Sequence, residues 1–134
     1  MNPHHVPLAL LPDSMAICRL TPDAEWPGWA AGPLVSVTRT PEELSVVCRA
    51  DVVPTGVRVE VPWRAFRVAG TLDFGLTGIL AGLSGALAAA GVPCFVLSTF
   101  DTDYLLVREP DLGRATEALA RAGHAIADAA LREL

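Results

Sequence analysis

Two short segments of this sequence carry residues that could hold a small charged ligand. The first is the glycine-rich stretch 70–78, which leads into an apolar run typical of a helix. Backbone N–H groups in the first turn of a helix have no partner within it and lie at the positive end of its dipole, so they bind anions such as carboxylates. Glycine also lets a ligand approach the backbone closely. The candidate binding residues here are Asp73, Phe74, Gly75, Gly78 and Ile79.

The second segment is the polar stretch 98–103, which lies between two apolar runs. Its carboxylates could accept hydrogen bonds from an ammonium group or another cation, and its hydroxyls could add further hydrogen bonds. A plainer interpretation of both segments stays open, because Asp and Gly often only shape turns and bond to their own loop. The candidate binding residues here are Ser98, Thr99, Asp101, Thr102 and Asp103.

The sequence offers no arrangement of residues for catalysis. Nucleophilic catalysis needs a base beside a Ser or Cys, yet His4 and His5 lie at the Pro-rich start. His124 follows the last long helical run, and we expect it at the surface or at the C-terminal end of that helix. Asp101 and Asp103 could form an acid–base pair in a small enzyme, but alternate residues of a strand or turn point in different directions. We therefore predict no catalytic residues and no enzyme activity.

Cofactors and metal ions are not expected either. Gly78, Gly82 and Gly85 lie inside a predicted helix, whereas the glycines of nucleotide-binding loops precede one. Cysteines that are widely separated in apolar runs are typical of buried free thiols, and none here stands at the spacing of metal ligands. The sequence therefore predicts neither a disulfide nor a metal site. The cysteines concerned are Cys18, Cys48 and Cys94.

The composition excludes several classes of partner. The 134 residues are 51% hydrophobic, which is enough for a compact core. The formal net charge of -5 and the scattered basic residues oppose binding to nucleic acid. No residue between Phe74 and Phe100 is charged, but Gly91 and Pro93 leave a helix shorter than the roughly 20 residues that a bilayer requires. Since no secretory signal is recognisable, we expect a cytoplasmic protein without a membrane partner.

The elements that must position these residues differ between the two halves. Runs of apolar and β-branched residues predict that the first half is almost all strand, with at most one helical turn in the Pro-rich stretch 21–33. Pro62 separates the last two of these strands. The predicted strands are 8–11, 15–20, 34–39, 44–50, 57–61 and 63–68.

The second half alternates strands with helices. Its pattern predicts a helix at 76–90, strands at 94–100 and 104–108, a helix at 110–122 and an edge strand at 124–126. Glycines inside the first helix lower its propensity, so we expect Gly82 and Gly85 to permit close backbone packing. With the strand before it, this order is the split βαβ arrangement, with both helices on one face of an antiparallel sheet.

The sequences GTLDFGLTGIL at 70–80 and STFDTDY at 98–104 resemble the ACT domain family. The resemblance is closest to the ACT-like branch related to the cytosolic arginine sensors and to the regulatory domains of aspartate kinases. It implies an α+β fold, a ferredoxin-like βαββαβ ACT sandwich. We predict two tandem ACT-like halves, with a degenerate strand-rich half at 1–63 and an ACT-like domain at 64–134.

The resemblance also implies a function. ACT-like modules are regulatory and bind amino acids at interfaces between ACT units, so we expect an amino-acid sensor without catalytic activity that forms a homodimer and acts on a separate, unidentified protein. The alternative from a different class is a structural module that mediates protein–protein interaction or dimerisation and binds no small ligand. Stabilisation by an amino acid separates the two hypotheses.

Overall fold

The computed structural model describes residues 5–69 and 77–128. Its contacts divide the chain into two compact units. One unit comprises Asp13–Trp63 and is called the strand unit here; the other, the mixed unit, comprises the described residues before and after it. The predicted boundary between 63 and 64 coincides with one edge of the strand unit, while residues before Asp13 belong to the mixed unit. That the first half is a degenerate copy of the second stays a prediction.

The described residues form eight strands and two α-helices, with 3-10 turns at Ala50–Val52 and Glu109–Asp111. This mixture confirms the α+β class. In chain order the elements are β1 (Pro7–Leu10), β2 (Met15–Leu20), β3 (Ser36–Arg39), β4 (Leu44–Arg49), β5 (Arg58–Val68), α1 (Ile79–Ala89), β6 (Phe95–Ser98), β7 (Asp103–Arg108), α2 (Leu112–Arg121) and β8 (Ala125–Asp128).

The strand unit is an antiparallel sheet in the order β3–β4–β2–β5. The predicted hairpin of β3 and β4 is confirmed, and Thr40 Oγ1 accepts hydrogen bonds in its turn from the N–H groups of Glu42 (3.2 Å) and Glu43 (3.1 Å). The core of the unit lies on one sheet face, against which parts of the Pro-rich stretch 21–33 pack. Its fully buried members are Ala16, Cys18, Leu44, Val46 and Cys48.

Strand β5 corrects one expectation, because it runs through Pro62 without a break. Its pairing with β2 shifts between Met15, opposite Trp63, and Ile17, opposite Glu60. Two residues of β5 therefore stand against one of β2, which is a bulge. Proline lacks the N–H that a regular ladder needs, and a bulge is where a strand tolerates it. Pro62 does mark an irregularity, but this irregularity is a bulge within one strand and not a break between two strands.

The mixed unit has the strand order β8–β1–β5–β7–β6. Its chain order from β5 to β8 is strand, helix, strand, strand, helix, strand, which confirms the ferredoxin-like βαββαβ expectation. The sheet is mixed rather than fully antiparallel, because β1 lies between β5 and β8 and is parallel to β8. Both helices face one core cluster, to which they contribute Ile79, Leu83, Leu87, Ala115 and Leu119.

Helix α1 begins at Ile79, three positions later than its apolar run predicts. Gly78 sets this start, because its left-handed φ of 87° is incompatible with a helical residue. A Cβ added at Gly85 would meet no other atom within 4 Å. The expectation of close backbone packing at Gly85 is therefore wrong. None of the described helices is long and apolar enough to cross a membrane.

His124 is the clearest exception to the expected surface. Its side chain is 4% exposed, and Nδ1 accepts a hydrogen bond from the Val6 N–H at 3.1 Å. The residue lies between the end of α2 and β8, and its bond fixes the backbone of Val6, the residue before β1. The expected surface position is wrong, since the histidine serves as a buried acceptor.

The three cysteines are free thiols. Cys18 and Cys48 are buried in the strand unit, whereas Cys94 is half-buried in the mixed unit. Burial raises the pKa of the Cys18 thiol to about 12, and the neighbouring Cys48 adds to the effect. Burial also raises the pKa of Cys48. Both are therefore protonated and unreactive near neutral pH.

Candidate functional site

The turn between β6 and β7 is fixed to the end of β5. Thr102 Oγ1 donates a hydrogen bond to the Val68 carbonyl at 2.7 Å, and the Thr102 side chain is 6% exposed. Val68 is the last residue of β5, and the glycine-rich stretch begins at Gly70. The structure thus joins one predicted ligand segment to the strand from which the other departs.

Hydrogen bonds between Thr99 and Thr102 close the turn. The Thr99 N–H donates to the Thr102 carbonyl at 2.8 Å, and the Thr102 N–H donates to Thr99 Oγ1 at 3.3 Å. The Thr99 hydroxyl donates back to the Thr102 carbonyl at 3.1 Å. These bonds leave Phe100 and Asp101 at the tip, and the Phe100 ring is 79% exposed. Side-chain to backbone bonds of this local kind stabilise a turn.

Two carboxylates flank the turn in different states. Asp103 is half-buried, and its Oδ1 accepts a hydrogen bond of 2.7 Å from Ser98 Oγ, the residue directly opposite it in the β6–β7 pair. Asp101 is exposed, and none of the described residues pairs with it. A carboxylate has about four acceptor positions. Asp101 therefore keeps all of them for a cationic ligand, and Asp103 keeps most.

The start of α1 carries the other group of predicted binding residues. The Gly82 N–H donates to the Gly78 carbonyl at 2.9 Å, which is the first α-helical bond, so residues 79–81 have N–H groups without a helical acceptor. The helix has no side-chain cap and no acidic residue in its first turn. Its positive end is thus not neutralised by its own residues.

Two of the predicted binding residues also have structural contacts in the mixed unit. The Ile79 side chain is 4% exposed and lies in the core, so this residue could offer a ligand only its backbone N–H. The Thr102 hydroxyl donates its proton to the Val68 carbonyl. Asp73, Phe74 and Gly75 lie outside the described residues. The bond between Thr102 and the Val68 carbonyl was not predicted from the sequence, because it depends on β7 pairing with β5.

The described residues around Ser98 do not form a triad-like arrangement. Ser98 donates its hydroxyl proton to a carboxylate, but a triad-like site requires a base held by a third group. Within the described part of the chain, the histidines are bonded elsewhere: His5 Nδ1 lies 3.0 Å from the Gly123 carbonyl, and His124 Nδ1 accepts from Val6. The described residues also contain no cluster of three potential metal ligands.

Comparisons with known proteins match parts of both units. A family model described as an ACT domain matches residues 58–121, and a model of an N-terminal domain matches residues 13–56. A solved structure of an Agrobacterium tumefaciens protein is 42% identical, covers 92% of each chain and has a TM-score of 0.87. The regulatory subunit of aspartate kinase from Thermus flavus is 14% identical over 86% of this chain and 95% of its own, with a TM-score of 0.62, which shows a shared fold.

A curated relative matches a shorter part of the chain. The Homo sapiens protein named cytosolic arginine sensor for mTORC1 subunit 1 is 42% identical over 60 residues. This match covers 44% of the present chain and 18% of the sensor. The matched part therefore spans less than a fifth of that relative.

Proposed function

Because this chain belongs to the ACT domain family, we propose that it is a regulatory module that binds an amino acid and catalyses no reaction. One observation carries the proposal: a hydrogen-bonded turn with an unpaired carboxylate is bonded to the strand from which the glycine-rich stretch departs. That stretch leads to the uncapped start of α1. A cation receptor and an anion receptor are thus linked by one short segment of chain.

The two receptors match the two charges of an amino acid. Its carboxylate would accept hydrogen bonds from the N–H groups of residues 79–81 and from the stretch 70–78, including Asp73, Phe74 and Gly75. Its ammonium group would donate to Asp101 and Asp103, with the hydroxyls of Ser98 and Thr99 nearby.

Arginine is the first ligand to test. The name of the curated relative motivates this choice, and the chemistry agrees with it. A guanidinium donates two parallel hydrogen bonds to a carboxylate, and two carboxylates flank the turn. Its cellular setting would be the cytoplasm, its assembly a homodimer, and its target a separate protein that responds to the bound state.

The experiment is a thermal-shift and calorimetric titration of the purified chain against the twenty amino acids. Ligand at about a hundred times its Kd stabilises a protein by about 2.7 kcal/mol, so binding produces a melting shift of several degrees. Asp101→Asn should weaken binding at least about tenfold, because it removes a charge-assisted contact. The matched control is Asp23→Asn, an equally exposed aspartate of the strand unit.

The possible outcomes distinguish a sensor at this site, binding at another site and a module without a small ligand. A saturable shift that is lost in Asp101→Asn and kept in Asp23→Asn supports the sensor and its site. A shift that both variants keep supports amino-acid binding at another site. The absence of a shift with any amino acid at millimolar concentration rejects the proposal and favours the alternative, an interaction module without a small ligand.

A further inference from the structure

Arg67 lies on the face of the mixed unit's sheet that is turned away from the two helices. Its neighbours in β5, Phe66 and Val68, belong to the core cluster to which α1 and α2 contribute. Because successive side chains of a strand point to opposite faces, Arg67 points away from that cluster. The residue directly opposite it in β1 is Ala9, which is fully buried. This neighbour has no side-chain acceptor to offer to the arginine.

The guanidinium of Arg67 lacks an anionic partner. Its side chain is half-buried, and its Nε is buried without a hydrogen-bond partner. None of the described residues forms a hydrogen bond or an ion pair with this guanidinium. In Arg64 of the same strand Nε is also unpaired, but Nη2 donates to the Leu11 carbonyl at 3.0 Å and Nη1 lies 3.8 Å from Glu109 Oε1. Since unpaired buried donors cost free energy, Arg67 favours an added acceptor.

Tyr104 brings a second unused donor to the same face. Its neighbour Leu105 belongs to the core cluster, so Tyr104 points to the opposite face, as Arg67 does. Strand β7 pairs with β5, and the bond from Thr102 to the Val68 carbonyl aligns the start of β7 with the end of β5. Tyr104 is half-buried and bonds to none of the described residues. A guanidinium and a phenol therefore lie on neighbouring strands with donors to spare.

The charges on this face favour an anion. The acidic residues in the described strands of the mixed unit are Asp103 and Asp128. They alternate in phase with Leu105 and Ile126, which pack in the core cluster, and so they lie on the helix side of the sheet. Along these strands no carboxylate therefore shares a face with Arg67.

An apolar surface adjoins the two donors. Leu97 of β6 pairs directly with Tyr104, shares its face and is half-buried. Directly opposite residues of an antiparallel pair have Cβ atoms about 5 Å apart, so a ligand at the phenol would also reach the leucine. We propose that Arg67 and Tyr104 bind the carboxylate of a small organic acid whose apolar part contacts Leu97.

The chemistry selects this ligand class over two others. A carboxylate is planar, accepts two parallel hydrogen bonds from a guanidinium and carries the single charge that one arginine neutralises. A phosphate monoester carries a charge of about -1.5 to -2 near neutral pH, which would leave part of its charge unpaired beside apolar side chains. An amino acid adds an ammonium group, for which this face has no carboxylate. The inference is therefore independent of the amino-acid site proposed above.

The experiment uses isocaproate as the probe and leucine as its counterpart, which has the same carbon skeleton and an added ammonium group. Tyr104 is the only tyrosine of the chain, so NMR of protein with isotope-labelled tyrosine reports on this face alone. Isocaproate should shift the resonance of the hydroxyl-bearing ring carbon saturably at millimolar concentration. Leucine and inorganic phosphate should bind at least about tenfold more weakly, since each leaves a charge unpaired.

Substitutions test the two donors. Arg67→Gln should raise the Kd for isocaproate at least about tenfold, because it removes a charge-assisted bond. Tyr104→Phe, followed through amide resonances, should raise it about fivefold, the effect of one neutral hydrogen bond. The matched control is Arg58→Gln, at an exposed arginine of the same strand, which should leave the Kd within about twofold.

Urea titration without ligand separates a binding role from a structural one. Because Arg67 has no partner in the described structure, Arg67→Gln should not lower the urea midpoint. A lower midpoint together with an unchanged Kd would show that the arginine serves the fold, and this would overturn the inference. Three results in the titration also overturn it: no saturable shift with isocaproate, equal binding by Arg67→Gln and the unmodified protein, or tighter binding of leucine or phosphate than of isocaproate.

Discussion

Thr102→Val isolates the hydrogen bond that fixes the turn of the candidate site. The substitution keeps the shape of the side chain and removes the hydroxyl that donates to the Val68 carbonyl at 2.7 Å. Because the side chain is 6% exposed, water cannot replace the bond fully. A hydrogen bond contributes about 1 kcal/mol net, and a buried acceptor left without its donor costs about 1–3 kcal/mol. We expect a loss of about 1–2 kcal/mol.

That loss corresponds to a melting temperature lower by roughly 5–10 °C for a unit of this size. Urea titration followed by circular dichroism measures the same quantity as a shift in midpoint. The control is Thr116→Val in α2, whose hydroxyl bonds to the Leu112 carbonyl of the same helix and is partly exposed. It should change stability by less than about 0.5 kcal/mol. Equal midpoints for the two variants would refute the view that the Thr102 bond holds the turn against β5.

Three further predictions concern the rest of the molecule. Gly85→Ala should add about 0.5–1 kcal/mol in urea titration, since its Cβ meets no atom within 4 Å; a loss would mean that the position is occupied. The free energy of unfolding should fall as the pH rises from about 9 to about 12, because the pKa of Cys18 is 9.0 in the unfolded chain and about 12 in the folded one. The urea midpoint of Cys18→Ala, measured over the same pH range, should lack the part of this fall that Cys18 causes. His124→Leu should cost about 1–3 kcal/mol in urea titration by leaving the Val6 N–H without its acceptor, whereas His5→Leu, at an exposed bond, should cost less than about 0.5 kcal/mol.

Local chemistry was sufficient to predict most of the elements. Strand β2 has the predicted bounds, and Gly123, with a φ of 103°, ends α2 as its position indicated. The same local rules failed where a partner strand decides the outcome. Pro62 lies inside β5 because β2 accommodates it with a bulge. His124 is buried because β1, more than a hundred residues earlier, brings the Val6 N–H to it.

In the candidate site, too, the local features were predictable from the sequence and the contacts between distant segments were not. The bonds between Thr99 and Thr102 are local, and the Asp-containing turn was predictable from residue types alone. Its position beside Val68 depends on β7 being the neighbour of β5, which no pattern within either segment encodes. The start of α1 was misplaced by three residues, since the apolar run continues back through a glycine whose backbone angle ends the helix.

The distribution of hydrogen bonds leaves one side chain of the turn available for the proposed ligand. Ser98, Thr99 and Thr102 use their hydroxyls within the unit, so these residues set the shape of the turn. Asp101 alone among the polar side chains of residues 98–103 has no bond to a described residue. An unpaired charge on a turn that is already ordered by its own hydrogen bonds would bind a ligand of opposite charge at a lower ordering cost than a flexible loop. A ligand that binds one state of a protein more tightly than another shifts the equilibrium towards that state. Regulation through the proposed site would require this difference in affinity.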